Sequence, residues 1–194
     1  MACGLEKSRL GRKSITAPSQ PRKPDVEKVK GSCILFRCHQ HPVMPKKAHV
    51  FHTPDPKNHC FGCGAGNRSG LHLKFAFDEA SGGFVCNFRL GKRFTGPPGH
   101  CHGGIIALIL DEAMGKVNSL RKVVALTSEI TVNYLKPVPL NQSLRVQSRE
   151  IRVEGRRHFN QAEILNQEGI VLARSHGTFV AIDPNRVFAK LAEK

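Results

Sequence analysis

The amino-acid sequence predicts an α+β fold in which an antiparallel, curved sheet wraps around one long central helix. Three observations support this fold class. Two short alternating runs come first, one almost wholly apolar run of helical length follows, and four β-rich runs separated by tight turns complete the chain. A helix that is apolar on most sides must be covered on most sides, and a single sheet can do this only by curling around it.

Two strands are expected before the helix. Residues 71–77 and 84–90 each alternate apolar side chains with more polar ones, a pattern typical of half-buried strands. A Ser-Gly-Gly sequence at 81–83 lies between them and predicts a tight turn. The two runs should therefore pair as a hairpin.

One helix is predicted over residues 102–120, with a body that is apolar nearly all round. Gly103 and Gly104 stand where a loop rich in Pro and Gly ends and the apolar run begins. Glycines at a helix start let a ligand approach the backbone, and the free N–H groups favour negative charge. The pair indicates either an oxyanion site or a plain loop-to-helix junction with tight packing.

Four strands are expected after the helix, and they cover residues 123–135, 143–154, 158–165 and 170–182. The second of them changes its alternation phase between Val146 and Ile151, which predicts a bulge or bend. The last is the most continuously apolar and is therefore expected to be central. A short helix over residues 186–193 is expected to close the chain.

Residues 1–50 are expected to form a basic, disordered N-terminal tail, and residues 51–194 the folded domain. The tail region holds eleven of the 30 Lys and Arg residues against three acids, and it shows no sustained periodicity. The formal net charge of the chain is +15, and such a charge attracts phosphate groups of any source. Interleaved aromatic residues and recognition motifs are absent from the sequence, so no nucleic-acid partner is predicted.

The protein is predicted to be cytoplasmic. No apolar run approaches the roughly 20 residues that a membrane-spanning helix needs, and residues 1–30 lack the apolar core of a signal peptide. Without such a signal, the seven cysteines are expected to be reduced. A mitochondrial location is the alternative if the tail is a transit peptide.

Two acids, Asp111 and Glu112, interrupt the apolar run. Burying an unpaired carboxylate costs several kcal/mol or raises its pKa. Asp111 therefore indicates a general base or nucleophile in a cleft, unless it reaches solvent or a Lys or Arg. Glu112 is turned about 100° around the helix and is expected mainly at an interface or in solvent.

The spacing of His102 and Asp111 separates them. Nine residues correspond to two and a half helical turns, so the two side chains face opposite sides of one helix, roughly 13 Å apart along its axis. They cannot share a site within one chain. Two antiparallel helices related by a two-fold axis would bring the helix start of one subunit to Asp111 of the other.

The segments HGGIIALILDEAMG and LTSEITVNYLKPVP, with the earlier CFGCGAGNRSGLHLKF, resemble the hotdog-fold acyl-CoA thioesterases. The PaaI-like enzymes and thioesterase superfamily member 4 are the most similar subgroups, and the resemblance covers about residues 58–183. It implies a hotdog fold, a homodimer or homotetramer, and hydrolysis of acyl-CoA to a carboxylic acid and CoA without a cofactor or metal. Because the fold also hosts dehydratases, fold alone does not determine the reaction.

The resemblance also implies roles for individual residues. Asp111 would activate water or attack the thioester, and Thr127 would hydrogen-bond Asp111 or the attacking water. The N–H of Gly103, joined by that of Gly104, would hold the thioester oxygen, while His102 would position the thioester. The CoA phosphates would lie on basic residues near the pocket mouth, for which the candidates are Lys136, Arg156 and Arg157.

Gly96 departs from the family pattern. Many PaaI-like relatives carry an Asn six residues before the His of the HGG motif, where this chain has the Gly of TGPPGH. If that Asn side chain contributes to the oxyanion site elsewhere, His102 or backbone groups must replace it here.

The cysteines could take part in metal binding, in redox chemistry or in catalysis. Cys60 and Cys63 form a CxxC pair that could bind zinc together with other residues, namely Cys33, Cys38, His39, His41 and His59. The favoured interpretation is a metal-free turn, and a redox pair is disfavoured because no βαβ pattern surrounds it. Cys101 lies between His100 and His102 and is interpreted as a packing residue, since adjacent loop residues rarely face one another.

A non-catalytic acyl-CoA or partner-binding module on the same fold is the alternative to the thioesterase. Tight acyl-CoA binding with only background release of thiol would distinguish it. Asp111 and Thr127 favour the enzyme. The sequence does not determine the acyl chain of the substrate.

Overall fold

A computed structural model describes residues 49–50 and 55–188. Nearly all of the predicted tail, 1–50, lies outside the described residues, and its boundary with the folded domain stays a prediction. The regular elements are β1 (His49–Val50), β2 (Ala76–Asp78), β3 (Gly83–Arg89), α1 (Gly103–Val117), β4 (Val124–Tyr134), β5 (Ser143–Glu154), β6 (Arg157–Leu165), β7 (Val171–Ile182) and α2 (Pro184–Phe188). No helix in this part of the chain is long and apolar enough to cross a membrane.

The strands form one antiparallel sheet in the order β1-β2-β3-β5-β6-β7-β4. The predicted fold class is therefore confirmed: an antiparallel sheet is combined with one long helix. β4 is an edge strand, with β7 as its one neighbour among the described strands. β7 lies next to that edge, so its prediction as the central strand is wrong. Its apolar side chains reflect packing against α1, which contacts both β7 and the edge strand β4.

The core lies between α1 and the face of the sheet that it packs against. The helix contributes one buried surface, made of Ile106, Ile109, Leu110, Ala113, Met114 and Val117. The predicted helix begins one residue too early and ends three residues too late, and the late end arises because the chain tightens into a 3₁₀ turn over Asn118–Arg121. Lys122 then takes a left-handed conformation (φ 55°) that ends the helical path.

The first predicted strand is mostly a loop. Residues 71–75 precede β2 and are held by backbone hydrogen bonds, from Leu71 N to Phe61 O (2.8 Å) and from Leu73 N to Gly62 O (2.9 Å). Leu73 and Phe75 are nonetheless buried in the core. The alternating pattern thus predicted correctly which side chains are buried. The backbone of this segment, however, is hydrogen-bonded to a turn and not to a neighbouring strand.

Three register shifts interrupt the ladders between the described strands, and the one between β6 and β7 falls at Ile164 and Leu165, which pair with Ala173 and Val171. The other two lie in β5 and β4. The one in β5, between Glu150 and Arg152, falls inside the interval where the sequence predicted a bulge or bend. The bulge in β4, between Thr127 and Glu129, was not predicted. Its extra residue, Ser128, donates a hydrogen bond from Oγ to Thr178 O at 3.0 Å.

Buried polar side chains tie the end of α1 to the sheet. Asn160 Nδ2, on β6, donates to Met114 O at 3.0 Å and to Asn118 Oδ1 at 2.9 Å. Ser148 Oγ, on β5, donates to Ala113 O at 2.7 Å. These bonds reach helix carbonyls inside an otherwise apolar core, where an unpaired polar group would be costly.

Replacing Asn160 by Ala is expected to lower the free energy of unfolding by about 1–3 kcal/mol, because both helix-end acceptors lose their donor and a small cavity is left. Urea unfolding followed by circular dichroism measures this. The control is Gln161→Ala on the next residue, which is half-buried and points to the other face of the strand. Its expected effect is within about 0.5 kcal/mol, and equal losses in the two variants would contradict the assignment.

Candidate active site

The start of α1 is capped by a histidine side chain. His102 has extended backbone (φ −65°, ψ 136°), and its Nδ1 accepts a hydrogen bond from Gly104 N at 3.0 Å. The Gly104 N–H is therefore already used within the chain. Among the described residues none accepts from the N–H of Gly103. This N–H is thus available to a ligand oxygen at the helix start.

The loop before the helix explains Gly96. A Cβ atom at this position would lie 2.7 Å from the Cα of His102, so a side chain has no room. Backbone hydrogen bonds close the loop, from Gly96 N to His100 O (3.0 Å) and from His102 N to Phe94 O (2.9 Å). The departure from the relatives' Asn therefore has a packing reason: Gly96 lets the loop lie directly against the capping histidine.

Asp111 is half-buried on α1 and is bonded to the edge strand. Thr127 Oγ1 donates to Asp111 Oδ1 at 2.8 Å. Burial raises the pKa of Asp111 and the charge of Glu112 adds to this, while the hydrogen bond from Thr127 opposes it. The net result is a carboxylate that is more basic than an exposed aspartate, as a general base requires. The β4 bulge begins directly after Thr127, so the sheet changes register at this contact.

Tyr134 takes part in the site although the sequence analysis assigned it no role. Its Oη donates to Gly103 O at 3.0 Å, and the side chain is 55% exposed. It is the only tyrosine of the chain and stands at the end of β4. The strand thus contacts α1 at both ends, through Thr127 and through Tyr134, so strand and helix run in opposite directions.

The helix start and Asp111 are not brought together within one chain. α1 is continuous from Gly103 to Val117, so His102 and Asp111 stay roughly 13 Å apart along the helix axis. The separation expected from their spacing therefore holds.

The three basic candidates are not brought together either. Lys136 N donates to Leu172 O, whereas Arg156 O accepts from Ala181 N. Leu172 and Ala181 are nine residues apart along β7, which corresponds to roughly 30 Å. Lys136 lies at the Tyr134 end of the sheet, and Arg156 and Arg157 lie at the Thr127 end. Within one chain, Lys136 therefore lies too far from Arg156 and Arg157 to share a phosphate group with them, and the role of the three candidates in CoA binding stays a prediction.

Cys101 has no base within its loop that could accept the thiol proton and activate it as a nucleophile. It is buried, and burial raises the pKa of its thiol to about 11. His100 Nδ1 lies 2.9 Å from Pro98 O, and the Cys101 thiol donates to His102 O at 3.5 Å. The packing interpretation of Cys101 agrees with these contacts.

The antiparallel sheet combined with one long helix is a hotdog fold. Residues 98–173 match the family described as Thioesterase superfamily, and the resemblance stated from the sequence motifs is confirmed. Among solved structures, the thioesterase superfamily protein RHA08564 has a TM-score of 0.57 at 27% identity, covering 65% of this chain and 59% of that chain.

Two further structures are similar. The BH2602 protein from Bacillus halodurans, solved with CoA, has a TM-score of 0.52 at 25% identity and covers 58% of this chain and 76% of that chain. The PaaI protein of E. coli has a TM-score of 0.54 at 20% identity, with coverage of 58% and 81%, and supports the fold alone.

Curated relatives match over part of their length. The acyl-coenzyme A thioesterase THEM4 of Rattus norvegicus is 30% identical over 120 residues, which are 60% of this chain and 52% of that protein. The uncharacterized mitochondrial membrane protein FMP10 of Saccharomyces cerevisiae is 28% identical over 97 residues, which are 47% of this chain and 40% of that protein. The chain spans about half the length of the curated relatives it matches.

Replacing Gly96 by Ala is expected to destabilise the domain by about 1–3 kcal/mol, because a new Cβ meets backbone that cannot move without displacing His102. Thermal unfolding measures this. Gly91→Ala in the same region is the matched control, since a Cβ there meets nothing within 4 Å. A Gly96 variant as stable as the Gly91 variant would show that the loop tolerates a side chain.

Proposed function

We propose that this protein is an acyl-CoA thioesterase, which hydrolyses an acyl-CoA thioester to a free carboxylic acid and CoA. The observation that carries the proposal is the half-buried Asp111 carboxylate, fixed by Thr127 at 2.8 Å. Similarity to THEM4 and to the CoA-bound BH2602 supports the substrate class.

Asp111 supplies the reacting carboxylate. As a general base it takes a proton from water while the water oxygen attacks the thioester carbon; as a nucleophile it attacks that carbon itself, and water then hydrolyses the acyl-enzyme. In both routes the C–S bond breaks and CoA leaves as the thiol after protonation. Thr127 holds one carboxylate oxygen, which leaves the other oxygen to act.

The helix start stabilises the developing oxyanion. The N–H of Gly103 is the donor, because that of Gly104 is taken by His102. The helix dipole adds to the effect, since negative charge is favoured at a helix N-terminus. Tyr134 donates to Gly103 O, in the peptide that joins Gly103 to Gly104, and so holds the first turn of the helix next to this donor.

A homodimer completes the site. The edge strand β4 exposes a set of large apolar side chains that a second copy would cover, namely Val124, Leu126, Tyr134 and the following Leu135. Antiparallel pairing of two copies near the middle of β4 places the Thr127 end of one strand beside the Tyr134 end of the other. Asp111 then faces Gly103 of the partner subunit. A homotetramer would contain two such dimers.

The same pairing gathers the basic candidates. Arg156 and Arg157 of one subunit lie at the Thr127 end, and Lys136 of the partner subunit would arrive at that end. All three are exposed, although Arg156 Nε donates to Ala181 O at 3.0 Å, and their positive charges can attract the CoA phosphates. Binding of the CoA phosphates would therefore account for the positive charge of the folded domain without a nucleic-acid partner.

The location in the cell stays a proposal. A cytoplasmic enzyme was predicted from the sequence. The similarity to FMP10, which is named a mitochondrial membrane protein, supports the mitochondrial alternative.

Asp111→Asn is expected to lower kcat for acyl-CoA hydrolysis by at least about a hundredfold. The fold should persist, because an Asn oxygen still accepts from Thr127 and the half-buried charge is removed. Thiol release from a panel of short, aromatic and long-chain acyl-CoAs gives the rate, and thermal unfolding gives a Tm equal to or above that of the wild type.

Glu79→Gln, which neutralises an exposed acid in the turn after β2, is the control and should leave kcat unchanged. Undiminished turnover by the Asn variant would remove Asp111 from the mechanism. Background thiol release by the wild type, together with tight acyl-CoA binding, would contradict the enzyme and support the non-catalytic module.

Gly103→Pro tests the shared site. Proline at the first helical residue removes the N–H but fits the helix, and His102 already has the extended backbone that a residue before proline adopts. This variant alone should be nearly inactive. Co-expressed with Asp111→Asn in equal amounts, it should recover about a quarter of wild-type activity, because half of the dimers then carry one intact site.

Gly103→Ala, which keeps the N–H and whose Cβ would lie 3.5 Å from Tyr134 Oη, is the matched control and should stay active. No recovery in the mixture, with heterodimers detected by mass spectrometry, would place the complete site within one chain.

A further inference from the structure

A cluster of sulfur and oxygen donors lies apart from the proposed catalytic pair. The Sγ atoms of Cys60 and Cys63 and a carboxylate oxygen of Glu112 all lie within 4.8 Å of one another. The Cys60 thiol donates to Glu112 Oε2 at 3.4 Å. From the sequence, the two cysteines were combined with upstream residues as a candidate zinc site, and Glu112 was expected at an interface or in solvent. The fold instead brings Glu112, in α1, to the CxxC turn.

The CxxC turn is shaped to receive the carboxylate. A Cβ at Gly62, between the cysteines, would lie 2.5 Å from Glu112 Oε2, so the glycine leaves the space that this oxygen fills. Gly64 N donates to Cys60 O at 2.9 Å, and Leu73 N donates to Gly62 O at 2.9 Å. These bonds fix the turn on the domain, so the two sulfurs are positioned before any ligand arrives.

The ammonium group of a lysine side chain lies against the cluster. Lys116 Nζ is 3.1 Å from Cys63 Sγ and 3.4 Å from Glu112 Oε1. Two thiolates, one carboxylate and one divalent cation carry a single net negative charge. The Lys116 ammonium balances that charge, which a half-buried ion cluster requires.

We propose that Cys60, Cys63 and Glu112 bind Zn²⁺, or a divalent cation of the same thiophilic class, with Lys116 as the charge-balancing neighbour. Two cysteine sulfurs and a carboxylate oxygen are ligands that zinc prefers. With Zn–S bonds of about 2.3 Å, tetrahedral zinc sets two sulfurs roughly 3.8 Å apart. The donor atoms of the cluster lie within 4.8 Å of one another, so this separation can be reached by a small movement of the side chains. Three protein ligands leave the fourth position to water or an external thiol.

The bound ion would join the CxxC turn to the middle of α1. Zinc binds cysteine as the thiolate, so binding must release a proton from each cysteine thiol. None of the three donors belongs to the Asp111–Thr127 pair or to the helix start. The proposed metal site therefore does not depend on whether the protein hydrolyses acyl-CoA.

The experiment uses the full chain without a polyhistidine tag, stripped of metal with a chelator and kept reduced. Titration with Co²⁺ should give thiolate-to-cobalt absorption in the near ultraviolet and tetrahedral bands in the visible, saturating at about one equivalent. Zn²⁺ should displace the cobalt. Cys60→Ser and Cys63→Ser should each reduce the thiolate absorption by about half or more. Glu112→Gln should weaken Co²⁺ affinity about tenfold or more while keeping that absorption.

Two controls locate the site. Cys86→Ala changes a buried cysteine outside the cluster and should leave the cobalt spectrum and stoichiometry unchanged. The double variant Cys33→Ser/Cys38→Ser, whose positions lie outside the described residues, should also bind fully. Absence of thiolate absorption in the wild type, or its loss in this double variant with retention in the Cys60 and Cys63 variants, would overturn the proposal. If the reduced protein gives no cobalt absorption, and a Cys60–Cys63 disulfide closes rapidly once the reductant is replaced by oxidised glutathione, the proposal is overturned in favour of a redox pair.

Discussion

Incomplete coverage of α1 is the constraint on which the rest of the structure depends. The helix is apolar enough to need a sheet that curls around it, but the sheet has an end, and that end is β4. Along this edge the helix is only half-covered. A carboxylate on the half-covered side can be ionised while its neighbours on the same helix are fully buried. The position of Asp111 therefore follows from how far the sheet reaches.

The periodic part of the fold could be predicted from the sequence. Alternation located four long strands and the β5 bulge, and the apolar run located α1, because these signals repeat every two or every three to four residues. The pairing of Asp111 with Thr127 came from motif resemblance, and the structure places the two side chains in contact. The partner of residues 71–75 was missed because an alternating pattern reports burial and is silent on what accepts each backbone hydrogen bond.

Contacts between distant and unlike segments could not be predicted in this way. Tyr134 and Gly103 are 31 residues apart, and Cys60 and Glu112 are 52 apart. Neither pair has a periodic or motif signal, since each is set by how a loop or strand end docks on α1. Asp111 and Glu112 show the same limit. They are adjacent in the chain, yet a 100° turn of the helix gives one a threonine hydroxyl and the other two thiols and a lysine.

The cap at the helix start also fixes the chemical form of His102. Because Nδ1 accepts the hydrogen bond from Gly104, that nitrogen carries no proton while the cap is in place, and the neutral ring must be the tautomer protonated on Nε2. The ring therefore presents an N–H donor on its far side. His102 therefore acts at the helix start with one ring nitrogen, Nδ1, and keeps the other, Nε2, as the donor that another group can use.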